Sequence, residues 1–233
     1  MKLENWTPFY KINPDNGELI ETNLIYTPLV SPDGKVFCMN FDHSSKYQNE
    51  ELSSWLPQRP YYTKEMVKFF FDREVKYLTA LCKYTWAPKI IDIDIINQQI
   101  FFEWSGETCN QIVYSDRKLE DYCSDWKEQM FNILKDITDA GYYKTSLYPH
   151  CFYLDAGILK TFDFYGCVES ANPFVAISDI KGMIGETSGP RFEAAVKDEV
   201  LNVEILFKDA LKTWVKWPDN YLSEVYERLY GNG

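Results

Sequence analysis

Histidine is almost absent from this chain, with only His43 and His150 among 233 residues. The six cysteines, Cys38, Cys82, Cys109, Cys123, Cys151 and Cys167, include no Cys-x-x-Cys pair. Structural zinc sites draw on closely spaced Cys and His, so the composition argues against one. The same spacing argues for reduced thiols and a cytoplasmic setting. No apolar run approaches the roughly 20 residues of a membrane span, and Met1–Trp6 has no apolar signal core. A membrane partner is therefore not expected. Basic runs are missing as well. Lys and Arg number 24 against 35 Asp and Glu, for a net charge of −11 and a pI near 4.7. Binding along a nucleic-acid backbone needs clustered cations, so a nucleic-acid partner is not expected either. There is no internal repeat and no low-complexity tract.

What the chain has in quantity is aromatic side chains: 17 Tyr, 15 Phe and 7 Trp, within a hydrophobic content of 45%. That content suits a folded core, with some rings expected at a partner-binding surface. The first sixty residues read as β-rich, with turn signals at Pro14-Asp15-Asn16-Gly17 and Ser31-Pro32-Asp33-Gly34. Strands are expected near 8–12, 18–30 and 35–41, then a long loop over 44–62. Thr63 is placed to cap a helix over about 64–83, with Val67, Phe70, Phe71, Val75, Leu78 and Leu81 on one face and Glu74 interrupting it. A hairpin follows over 89–96 and 100–104. Asp125 with Glu128 reads as a capping box for a helix whose face is Trp126, Met130, Ile133, Leu134 and Ile137, stopped at Gly141. Short strands at 152–154 and 159–162, an irregular stretch over 166–190, and helices near 191–214 and 219–230 complete the order.

Ser146-Leu147-Tyr148-Pro149-His150-Cys151, followed twelve residues on by Asp163-Phe164-Tyr165-Gly166, is the stretch that bears most on function. It resembles the catalytic segment of protein kinases, Asp-Leu-Lys-Pro-Glu-Asn and then Asp-Phe-Gly. "REVKYLTAL" at 73–81 looks like the helix whose Glu pairs an ATP-anchoring Lys, which makes Glu74 that Glu. "IFFEW" at 100–104 resembles the hinge beside the nucleotide, with Phe102 guarding the cleft and Glu103 and Trp104 alongside. The resemblance covers roughly residues 20–215. It implies an α+β, two-lobed protein-kinase-like fold: a β-rich lobe over 1–104 with one long helix, and a mainly helical lobe over 105–233. Stretches such as "WAPKIIDID" and "TFDFYGCVE" also resemble uncharacterised kinase-like proteins of tailed phages infecting marine cyanobacteria.

The departures are chemical. A phosphate-cradling loop needs glycines, and the first hairpin offers only Gly17. The strand over 35–41 carries no Lys near Met39 or Asn40; Lys35, Lys46, Lys64 and Lys68 are the candidates to reach in from elsewhere. Lys144-Thr145-Ser146 replaces His-x-Asp, and a serine hydroxyl is a poor general base. Tyr148 stands where Lys would be. Cys151 replaces the Asn that would hold a second magnesium, and a thiol is a soft ligand. Asp163 survives as a magnesium ligand, or as a buried carboxylate holding its loop. His150 is a titratable group inside the altered loop.

The leading expectation is a catalytically impaired, pseudokinase-type protein that binds a protein partner, in the host cytoplasm if the chain is viral. A phage accessory protein acting on host processes fits that description. The alternatives are an atypical ATP- and Mg-dependent phosphotransferase or nucleotidyl transferase, and a virion or assembly component.

Overall fold

Short β-prone stretches and one long helix build the N-terminal half. The computed structural model describes residues 1–12, 17–21, 25–41, 64–115, 117–176, 195–213 and 217–231. Its first strands are β1 (Thr7–Pro8), β2 (Tyr10–Ile12), β3 (Leu19–Glu21), β4 (Thr27–Val30) and β5 (Val36–Asn40). Helix α1 (Lys64–Leu81) and the hairpin β6 (Ile90–Asp94) and β7 (Gln99–Glu103) follow. One antiparallel sheet runs in the order β1-β4-β5-β7-β6, and β2 pairs with β3 alone. The strand expected over 18–30 is thus two strands serving different sheets. The Ser31–Gly34 turn forms as expected: Gly34 takes a φ of +71°, its N–H donates to the Ser31 carbonyl at 2.8 Å, and Ser31 Oγ accepts from the Val36 N–H at 3.0 Å. Residues 13–16 of the first turn, the 44–62 loop with Lys46, His43, and the Thr63 cap lie outside the described residues.

Helix α1 lies against this sheet through the stripe read from its sequence. Val67, Phe70, Phe71, Tyr77, Leu78 and Leu81 are buried, and so is Glu74. The Phe71 ring meets Phe41 edge-on at 5.6 Å. Strand β7 is buried over Gln99–Phe102, because its alternating side chains face two covered sides. Phe102 stacks on Phe37, its cross-strand partner, at 5.0 Å, while Phe101 meets Trp6 at 5.7 Å.

The C-terminal half begins with β8 (Glu107–Thr108) and α2 (Cys109–Val113), where Thr108 and Gln111 form a reciprocal capping box. Next comes α3 (Trp126–Asp139), which buries the expected face. Its expected capping box is absent, for a visible reason. The Glu128 carboxylate is held by the Arg228 guanidinium at 2.8 and 3.0 Å, and Asp125 accepts instead from Gln129 Nε2 at 2.9 Å.

Gly141, at φ +88°, ends the run. It leads to β9 (Tyr142–Tyr143), β10 (Phe152–Asp155), β11 (Ile158–Thr161), β12 (Val168–Glu169) and β13 (Phe174–Ala176). Of the helix expected over 191–214, residues 191–194 lie outside the described residues, and a helix runs over Val203–Thr213. Before it lies a hairpin of β14 (Val196–Lys197) and β15 (Val200–Asn202), turning on Asp198 and Glu199 with φ of +52° and +62°. The Asn202 side chain then accepts from the Glu204 N–H at 3.0 Å and starts α4 (Val203–Thr213); α5 (Tyr221–Tyr230) ends the described chain. The architecture is α+β, with small antiparallel sheets and several helices around one continuous core. No helix among the described residues is long and apolar enough to cross a membrane.

Candidate functional site

Three segments far apart in sequence meet around Asp163. Tyr26 comes from just before β4, helix α1 supplies Arg73 and Glu74, and the stretch after β9 supplies Lys144, His150 and Cys151. Asp163 follows β11 and sits in the left-handed region at φ +65°, which turns the chain sharply and holds its carboxylate in the interior. Its Oδ1 accepts from the Tyr26 hydroxyl at 2.6 Å, and its Oδ2 accepts from Cys151 Sγ at 3.2 Å.

Glu74, Lys144 and Asp163 are all buried. The Lys144 ammonium donates to the carbonyls of Phe162 at 2.6 Å and Asp163 at 2.8 Å, and lies 4.6 Å from the Phe164 ring centroid. Lys144 therefore occupies the first position of the degenerate His-x-Asp triplet as a structural cation. Glu74 Oε2 accepts from the Tyr165 N–H at 2.5 Å, while Oε1 has no hydrogen-bond partner among the described residues. Arg73, beside it, does not pair with Glu74; its guanidinium donates to the carbonyls of Tyr165, at 2.7 Å, and Cys167. Adjacent positions on α1 thus hold the same stretch of chain.

Burial sets the protonation of this group. Loss of solvent, and then the nearby Asp163 charge, push the Glu74 carboxyl up to about 8, against the pull of Lys144. Burial also raises Asp163, opposed by Lys144 and by the bonds from Tyr26 and Cys151. It pushes the Cys151 thiol well above its usual range and the His150 imidazole well below its own. Lys11, on β2, opposes the rise of the Cys151 and Asp163 values and adds to the fall of His150.

Glu74 holds its proton more tightly folded than unfolded. Its contribution to stability is full below the ordinary carboxylate range and is lost as pH climbs through about 8. His150, held below its usual range, opposes this below about pH 6.5, so urea unfolding of the native chain should show stability falling between about pH 7 and about pH 9. Glu74→Gln should flatten that slope, leaving the part due to Asp163. An unchanged slope in the variant would show that Glu74 does not titrate there.

The expected hinge is differently disposed. Phe102 and Trp104 are buried in a block of rings with Phe37, Tyr153 and Phe162. Phe102 lies 5.8 Å from Phe162, and Trp104 lies 4.7 Å from Tyr153 and 4.8 Å from Phe37. The Trp104 N–H donates to the Lys35 carbonyl at 2.9 Å. Glu103 points outward and pairs with Lys89 at 2.6 Å, both largely exposed. The structure thus brings Glu74 to the Asp163 segment, packs Phe102 and Trp104 against the neighbouring Phe162, and turns Glu103 outward. A surface cleft of about 410 Å³ lies elsewhere, lined by residues that include Asn40, Lys64, Asn97 and Gln99.

In the altered loop, Tyr148 and His150 stack on each other at 5.2 Å. Cys151 is buried, while His150 is only partly so. Each of His150, Cys151 and Asp163 offers a ligand atom, and these atoms lie within 4.8 Å of one another. The kinase resemblance implies magnesium here, but a thiol and an imidazole beside one carboxylate are a donor set that magnesium does not select. The residues present do not fit that ion. Of the lysines expected to reach in, Lys68 pairs with Asp72 on the surface at 2.5 Å, and the buried cation beside Asp163 is Lys144. Lys144 is signalled only as the Lys in the first position of the altered triplet, and Tyr26 is marked by no sequence motif. No known protein-family model matches the chain, and no curated protein matches it as a relative.

Proposed function

We propose that the chain is a kinase-like protein that has lost phosphoryl transfer and acts by binding a protein partner. The observation that carries this reading is the ring block of Phe37, Phe102, Trp104, Tyr153 and Phe162. It fills the space beside the hinge-like strand where the resemblance would place an adenine. A five-stranded sheet with a long helix inserted before its last hairpin supports the two-lobed reading. So does the meeting of Glu74 with the Asp163 segment. Ser146 in place of the base and Cys151 in place of a magnesium ligand support the loss of chemistry.

Binding to a protein is supported by exposed apolar side chains on the β6–β7 hairpin. Ile96 is 92% exposed and Ile95 62%, on a chain whose net charge of −11 favours basic partners. The phage resemblance adds a host protein as the class of partner.

Thermal melting with ATP and magnesium tests the closed cleft. No shift is expected, in the native chain or in Asp163→Ala. A ligand at 100 times its Kd stabilises a fold by about 2.7 kcal/mol. A shift of that order, abolished by Asp163→Ala, would overturn the reading in favour of an atypical phosphotransferase.

A further inference from the structure

We propose that His150, Cys151 and Asp163 form a binding site for a divalent transition-metal ion of borderline softness, with zinc the best match. The inference is independent of the partner-binding reading. The three ligand atoms lie within 4.8 Å of one another. The bond lengths of zinc to sulfur, nitrogen and oxygen place tetrahedral ligands about 3–4 Å apart. Cys151 Sγ and Asp163 Oδ2, at 3.2 Å, already have that separation, so the imidazole has the larger distance to close. One sulfur, one nitrogen and one oxygen leave a fourth position open, as in catalytic rather than structural zinc sites.

The surroundings hold two of the three ligands in place. The Cys151 carbonyl accepts from the Phe162 N–H at 3.0 Å and from Thr161 Oγ1 at 2.9 Å. The Cys151 N–H donates to the Tyr148 carbonyl at 2.9 Å. The Tyr26 hydroxyl, 2.6 Å from Asp163 Oδ1, is the outer partner that orients the carboxylate, a role that metal-bound carboxylates commonly require. The His150 ring nitrogens take no hydrogen bond among the described residues.

The charges also balance. Binding breaks the Cys151 S–H bond, forms a metal–sulfur bond and releases the proton to solvent. Thiolate and carboxylate then neutralise the dication, leaving the Lys144 contacts to Phe162 and Asp163 unchanged.

Cobalt titration of the metal-depleted full chain tests the site. One equivalent per chain is expected, with a thiolate-to-cobalt absorption band in the near ultraviolet that zinc abolishes by displacement and magnesium does not. Cys151→Ser should remove the band, whereas Cys82→Ser, at the exposed cysteine, should leave it intact. His150→Ala alters a partly exposed side chain and keeps the fold testable; it should weaken binding at least about tenfold, and Tyr26→Phe about 10- to 100-fold. Absence of the band, its survival in Cys151→Ser, or unchanged affinity in His150→Ala would each overturn the proposal.

Discussion

Replacing Lys144 with methionine is expected to lower folding stability by about 3–5 kcal/mol, the usual cost of removing one partner from a buried charge group. Methionine fills a similar volume but donates nothing. The Phe162 and Asp163 carbonyls lose the donor now at 2.6 and 2.8 Å, and Glu74 and Asp163 lose the one cation that draws both toward ionisation. Urea unfolding near neutral pH reads the loss directly. Adding Asp163→Asn to Lys144→Met removes the stranded carboxylate, so the double variant should be more stable than the sum of the single changes predicts. A loss under about 1 kcal/mol, or strict additivity, would mean that Lys144 does not hold this group together.

Phe102→Ala should cost a similar amount, about 3–5 kcal/mol, by a different route. The ring is fully buried and touches Phe37, Phe162 and Tyr153, so truncation removes apolar contact and leaves a void that close-packed neighbours cannot refill. Ile96→Ala is the matched control. With a side chain 92% exposed, it should change stability by no more than about 0.5 kcal/mol. Chemical denaturation of both variants separates the outcomes. A small loss at Phe102 would show that the ring block is loosely packed, and it would weaken the case for a filled cleft.

Local patterns in the sequence carried much of the fold. The stripe on α1, the α3 face and the β6–β7 hairpin were legible because each depends on neighbours within a few residues. The errors came where a side chain had a distant alternative. Asp125 and Glu128 match a capping box, but Arg228, a hundred residues on, takes Glu128. The stretch before Val203 reads as helix by composition, yet Asp198 and Glu199 adopt left-handed backbone and Asn202 caps a later start.

The site was less legible still. Its contacts span 91 residues from Glu74 to Tyr165 and 137 from Tyr26 to Asp163, and no periodicity reports such distances. Glu74, read as an interruption of an apolar stripe, lies at the centre of the buried group. Nothing in the spacing of Cys151, His150 and Asp163 reports that their ligand atoms lie within 4.8 Å of one another. The short helical turn over Pro149–Cys151 and the sharp bend at Asp163 bring them to one place.

The grip of α1 on the Asp163 segment has a consequence for how this chain can change over generations. Arg73 and Glu74 reach this segment through main-chain atoms of residues 165 and 167. Main-chain atoms are the same whatever side chain they carry. Selection for the docked helix therefore weighs on Arg73 and Glu74, and on Phe70 where its ring meets Tyr165 edge-on at 5.8 Å, while side chains of the segment that the helix does not touch can change so long as the backbone keeps its course. A motif can lose its wording while the joint beneath it persists.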